Sequence, residues 1–339
     1  MKKFFLFFAC ASLFVMGAKA QDSKSLFNEA QKAYNAYFVK AQTGDLDDEA
    51  AANLQNSFNL YTQALACDTT YETNKDGTPK VDKKTGVQKY KTKVSGDIVK
   101  AFTNMINNND FLRVGEYYRG KEDFHNAAIA YALSADLLQS KFAQEAPDNA
   151  TLSEILFLQG FANFFDKNYK DCFINMVNAK ELGYTSNNID AYISDVPSMI
   201  VQDYVNANNY AAADEALDYM IAKVPSVSSL YSLKARVVEF ENGFDAAIPA
   251  YETALAKDPN SAFTNYCLGY GYYGIVENAI NNSNAMSDAA VAKEVAHLLD
   301  KPIEYLNKAI TLNNNISSDM LEDAQKKLER LQLIKSFVK

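Results

Sequence analysis

Tryptophan is absent from the 339 residues, histidine occurs twice, and there are only 7 prolines. The shortage of histidine is the most restrictive. His125 and His297 stand far apart, and neither has a cysteine, a second histidine or a pair of carboxylates at metal-ligand spacing. Glycine-rich phosphate loops and Gly-x-Ser-x-Gly elbows are missing as well. A side-chain nucleophile needs a base within hydrogen-bond reach, and two isolated histidines offer few options. The sequence therefore points away from an enzyme and calls for no metal and no cofactor. Basic residues are in the minority, 33 against 42 acidic ones. An acidic surface repels phosphate backbones, so nucleic acid is not an expected partner. Hydrophobic residues at 48% and charged residues at 22% exclude wholesale disorder.

Cysteine is also sparse. Cys67, Cys172 and Cys267 are an odd number spread along the chain, unlike a small disulfide-framed domain. Cys172 and Cys267 sit in apolar helical patterns and read as core thiols. At most one disulfide could form, and none is expected.

What is present begins with residues 1–20. Lys2 and Lys3 precede an apolar run from Phe4 to Met16, and Ala18-Lys19-Ala20 precedes Gln21. This reads as a secretory signal peptide, because the run is too short to cross a bilayer about 30 Å thick and small residues suit a signal peptidase. A rival reading makes Cys10 a lipidated cysteine after Phe7-Phe8-Ala9. Against it, the apolar run continues from Ala11 to Met16. The expected chain starts near Gln21, is exported to the periplasm or cell exterior, and carries 30 basic against 42 acidic side chains. No later stretch reaches about 18 apolar residues, so it is not expected to span a membrane.

A single core stops growing near 250 to 300 residues, which makes internal repetition the informative search. One unit from Val227 to about Asn260 sets Tyr231, Ala235, the turn Asn242-Gly243-Phe244, Ala247, Tyr251, Ala254 and Pro259 in order. Moving back 34 residues from Ala235 and Ala247 reaches Val201 and Ala213, with Tyr204, Tyr210, Leu217 and Pro225 in matching roles. Gly160, Tyr169, Cys172 and Ala179 form a third copy. Phe111, Val114, Gly115, Tyr118, Phe124, Ala127 and Tyr131 form a fourth. Leu268, Gly269 and Tyr272 open another, whose second helix, with Leu306 and Ala309, arrives about 21 residues late. Leu26 to Ala41 and Leu54 to Ala66 read as a degenerate pair.

This pattern resembles the tetratricopeptide repeat (TPR), a helix-turn-helix with an aromatic, a small residue, a second aromatic and a late proline at set offsets. Lys234 and Val238 depart from it. Pro249 falls early in a second helix, where a lost N–H costs least. The resemblance covers most of residues 97–312. It implies an all-α fold: a right-handed α-solenoid of TPR helical hairpins with a C-terminal capping helix and one short β-hairpin insertion. Hairpins of this kind cannot bury their own apolar stripes, so they stack and share a core.

The expected organisation is a signal peptide at 1–20, a degenerate hairpin at 21–68, a basic insertion at 69–96, a TPR array at 97–315 with a long insertion near 278–300, and a capping helix at 316–339. In the basic insertion, Asp76-Gly77, Pro79 and Lys84-Thr85-Gly86 read as turns of a short hairpin with Val81, Val87, Tyr90 and Val94. From Lys75 to Lys93 seven lysines face Asp76 and Asp82, a local charge of +5. Two readings stand: docking of an anionic partner, or lysines that keep exposed strand edges from pairing with other chains, the latter preferred.

In the TPR family the first helix of each pair lines a concave wall that grips a peptide or partner helix. Carried over by register, that wall comprises Phe157, Phe161 and Phe164 in one repeat and Tyr266, Tyr270 and Tyr273 in another, with Arg236 and Glu239 between. These rings could instead be core, the favoured reading for the phenylalanines and an even choice for the tyrosines, whose hydroxyls want partners. The expected function is a non-catalytic scaffold or adaptor binding a protein or peptide. The alternative is a glycan-binding or nutrient-uptake accessory protein of the cell envelope.

Overall fold

A computed structural model describes residues 22–338, apart from 76, 187 and 315. The expected signal peptide and Cys10 lie outside the described residues. Among these residues there are 15 α-helices and one pair of two-residue strands. The chain divides between residues 186 and 187 into two compact units.

The first unit opens with α1 (Ser23–Thr43) and α2 (Asp48–Cys67). Asp22 caps α1, its carboxylate accepting the Lys24 and Ser25 N–H groups at 2.9 and 3.1 Å, and Gly44 ends it at φ 79°. Tyr37, Leu54 and Tyr61 fill the space between the two helices, each at most 2% exposed. Strands β1 (Thr70–Tyr71) and β2 (Tyr90–Lys91) follow, then α3 (Ser95–Asn107), α4 (Asp110–Gly120), α5 (Phe124–Leu138), α6 (Asn149–Phe165) and α7 (Tyr169–Glu181). Helices α4 and α5 pack as a pair, as do α6 and α7.

The second unit holds α8 (Ile189–Asn206) with α9 (Tyr210–Lys223), and α10 (Ser229–Asn242) with α11 (Phe244–Lys257). Helix α12 (Ala262–Asn281) pairs with α14 (Asp300–Leu312), while α13 (Asp288–Val295) and a 3-10 turn at Ala296–Leu298 intervene in sequence. Helix α15 (Ser318–Ser336) ends the unit and packs on α12 and α14.

The hairpins share one packing device. A Cβ on Gly115 would stand 2.5 Å from Cε1 of Tyr131, one on Gly160 3.0 Å from Cε of Met176, and one on Gly269 2.8 Å from Cδ2 of Leu306. Each pair sets a bulky side chain against the bare backbone of the preceding helix, which lets the axes approach closely. The separation is 16 residues in the first two pairs and 37 in the third, and the extra 21 accommodate α13. Ala127, Cys172, Ala213 and Ala247 recur 12 residues after the small position and are fully buried. Three hairpin turns of three residues each place the middle one at positive φ: Glu122 (φ 59°), Lys167 (φ 62°) and Asn208 (φ 54°), at a steric cost for Glu122 and Lys167. The α10–α11 connection differs, with Gly243 alone between the helices at φ 84° and ψ 168°.

Three details depart from the sequence expectations. Helix α3 falls outside the repeat register, although Ile98, Phe102 and Met105 at helical spacing form its buried face. Val94 is a buried residue at the start of α3, not a strand position. Pro249 is the sixth residue of α11, past the first turn, so its missing N–H removes a bond that the helix would otherwise make.

Candidate interaction surfaces

The tyrosines of α12 face the terminal helix. Tyr266 donates its hydroxyl hydrogen bond to Oδ2 of Asp323 at 2.9 Å, and Nζ of Lys327 lies 4.8 Å from the ring centre of Tyr270 and 5.3 Å from that of Tyr273. Lys327 also pairs with Asp323, and Arg330 makes a two-pronged contact with Glu277 at 2.6 and 3.0 Å. Tyr266 and Tyr273 pack against the cluster that includes Val276, Ala324 and Leu331, whereas Tyr270 remains 46% exposed. The hydroxyl and ring faces that an extended peptide would grip are thus largely engaged by α15 of the same chain.

Arg236 and Glu239 are engaged with each other. Arg236 donates from Nη1 to Oε2 of Glu239 at 2.8 Å and lies 4.5 Å over the ring of Phe240, and Tyr251 donates its hydroxyl to the same carboxylate oxygen. One glutamate thereby ties the end of α10 to the middle of α11. Next to this group Cys267 is buried, and burial pushes its thiol up to about 12. Burial does the same to Cys172. Both are neutral thiols that behave as small hydrophobes. Cys67, Cys172 and Cys267 are all free.

Phe157, Phe161 and Phe164 are half-buried on α6 and belong to a longer aromatic row. Phe157 stacks on Tyr184 with ring centres 4.4 Å apart and planes 18° apart, and Phe161 lies 4.8 Å from Phe165. Phe165 in turn stacks on Phe124 at 4.7 Å, and Phe164 meets both Phe165 and Tyr169 edge-on. Phe165 is 47% exposed. Phe124 is a repeat position of the neighbouring hairpin, and its contact with Phe165 joins the two hairpins, whereas Tyr184 lies beyond the end of α7 and has no repeat signal.

The remaining repeat positions serve the hairpins. Ala179, Ala235 and Ala254 are buried at helix contacts. Tyr118 packs against Tyr117 with the ring planes tilted by 59°, and Tyr131 donates to Oε1 of Glu116 at 2.6 Å. Tyr231 donates to the Pro225 carbonyl at 3.3 Å beneath Lys257, while Pro259 is exposed beyond the end of α11.

Two buried aspartates have no local sequence signal. Asp110 accepts the hydroxyls of Tyr34 and Tyr37 at 2.8 and 3.1 Å, and burial raises its carboxyl to about 6 against those bonds and the charge of Arg113. Asp68 also loses solvation, but the hydroxyls of Ser95 and Ser23 and the N–H groups of Lys93, Val94 and Ser95 outweigh this loss and hold its carboxyl well below the usual range. Among the described residues no group of three or more His, Cys, Asp or Glu side chains is placed to hold a metal ion. In the second unit the starts of α10 and α12 flank a cleft of about 240 Å³ lined by six serines with Asp195, Asp258, Leu233 and Phe263.

No protein-family model matches the chain, and no curated protein does. Among solved structures, a TPR repeats protein from Bacteroides fragilis is 16% identical, with a TM-score of 0.37 over 67% of this chain and 98% of that one. YrrB, a TPR protein with an unusual peptide-binding site, is 16% identical, with a TM-score of 0.36 over 67% and 99%. A putative protein-binding protein from Bacteroides ovatus is 17% identical, with a TM-score of 0.35 over 55% and 100%. By its own helical pairs and the small-to-large contact inside them, the chain is an all-α protein built of helical hairpins, whose repeat pattern resembles the tetratricopeptide one.

Proposed function

We propose that this protein is an exported, non-catalytic scaffold that recruits a protein or peptide partner, with the aromatic row of α5 and α6 as its contact. The observation that carries the reading is the continuity of Tyr184, Phe157, Phe161, Phe165 and Phe124, in which the Phe165 ring is 47% exposed. Rigid aromatic side chains bury large areas at low entropic cost and are enriched where proteins meet. No described helix is long and apolar enough to cross a membrane. Export rests on residues 1–20 as a signal peptide.

A photo-crosslinking residue in place of Phe165 tests the reading in living cells. The expected result is an adduct of the chain with one partner, lost when Phe161→Ser is added while helical content is unchanged. An adduct pattern indifferent to Phe161→Ser, or none at all, sinks it. The serine-lined cleft with Phe263 favours a second reading, a polyhydroxylated ligand such as a glycan. A glycan array that is blank with the intact chain removes that alternative.

A further inference from the structure

We propose that the basic insertion between α2 and α3 is a docking element for an anionic lipid surface. It is a small two-faced sheet. Tyr71 pairs with Tyr90, Thr73 with Pro79 and Val81 with Gln88, all antiparallel. Side chains alternate along strands, so Tyr71, Val81 and Tyr90 share one face. These three are 60%, 49% and 57% exposed, and the two tyrosine rings meet edge-on across the strands at 6.4 Å. The opposite face is ion-paired: Glu72 pairs with Lys80 at 2.9 Å and Lys91 at 3.3 Å, and Asp82 with Lys89 at 3.8 Å.

The other four lysines have no ionic partner among the described residues, and their positions decide between the two readings of this segment. Lys75 lies in the turn closed by the Asn74 N–H on the Thr78 carbonyl. Lys83 and Lys84 lie in the turn where Asp82 accepts the Lys84 and Thr85 N–H groups. Lys93 stands at the root. Lysines that guard a strand edge belong on the strands; here the strand lysines are the paired ones and the free ones occupy the turns and the root.

An apolar aromatic face next to free ammonium groups matches the boundary of an anionic bilayer. Tyrosine rings settle at the headgroup level there, and lysines reach the phosphates. A protein interface fits less well, because lysine is depleted at such contacts. The charge is local, +4 over residues 69–96 with seven lysines against Glu72, Asp76 and Asp82, in a chain of -9 overall, so the insertion is the part an anionic surface attracts. Its two ends are pinned by Asp68, which reaches Lys93, Val94 and Ser95, so the element projects from a fixed base.

The chain has no tryptophan, so Tyr71→Trp is a unique reporter on the apolar face. The full chain is mixed with phosphatidylcholine vesicles with and without phosphatidylglycerol. The expected result is co-sedimentation and a blue shift of the tryptophan emission with the anionic vesicles alone. Binding should weaken about tenfold in Lys83→Glu/Lys84→Glu, since each lysine near such a surface contributes several-fold. It should also fall in Tyr71→Ser/Tyr90→Ser, whose exposed sites leave the fold intact. Equal binding to neutral vesicles, or full binding by the glutamate variant, overturns the proposal. So does anionic binding that leaves the emission unshifted, survives Tyr71→Ser/Tyr90→Ser and is displaced by polyglutamate, an outcome that assigns the element to an acidic protein.

Discussion

Asp110 shows how one side chain couples this fold to pH. It is fully buried in the first turn of α4, where the tyrosine hydroxyls of α1 donate to it, and its carboxyl titrates near 6. An acid whose pKa is raised by folding keeps its proton in the native state while the unfolded chain releases it. Its contribution is therefore most favourable below the unfolded value, near 4. It declines as pH rises through the window to about 6, and is constant above. Two pKa units correspond to about 3 kcal/mol. Asp110→Asn removes this titration and leaves an amide oxygen for the tyrosines. Urea unfolding at pH 4 and pH 7 should show the native chain losing about 2 kcal/mol relative to the variant across that interval, since pH 4 already lies just above the unfolded value. A native-minus-variant difference that does not change with pH would contradict the assignment.

Among the elements, α15 has the clearest mechanical role. It meets α12 and α14 much as α10 meets α8 and α9. Leu331 and Ala324 are fully buried in a cluster with Val276, Leu299 and Leu306. Leu331→Ala should cost about 2 to 5 kcal/mol of stability in the second unit, by lost transfer energy and the cavity left behind. Exposed Glu329→Ala should stay within about 0.5 kcal/mol. Denaturant midpoints of the two variants read the difference, and equal midpoints would mean that α15 is not docked. The amphipathic spacing of Leu321, Ala324, Leu328, Leu331 and Ile334 makes this helix legible in the sequence, and the register from Ala213 to Ala247 does the same for the hairpins. The late arrival of Leu306 was legible too, because it still answers a glycine in the preceding helix. What was not legible depends on contacts distant in sequence. Tyr266 finds Asp323 57 residues on, and Tyr37 finds Asp110 73 residues on. A tyrosine cluster looks the same in sequence whether a partner or the chain's own last helix covers it. Helix α3 had a local signal, and only its position outside the repeat hid it.

At the scale of the whole molecule, apolar side chains gather into separate clusters. One runs from Leu26 to Leu137 in the first unit, and two others surround Ala235 with Tyr251 and Val276 with Leu331 in the second. Repeat arrays of this kind draw stability from neighbouring contacts, so opening need not be all-or-none. The chain carries its own reporters of this. Cys172 in α7 and Cys267 in α12 are buried free thiols, one in each unit, and Cys67 is exposed. Pulsed thiol labelling along a urea titration should modify Cys67 throughout. Cys172 and Cys267 should become reactive at different midpoints, each marking the opening of its own unit. Coincident midpoints, unchanged when Leu331→Ala weakens only the second unit, would show instead that the clusters unfold as one cooperative body.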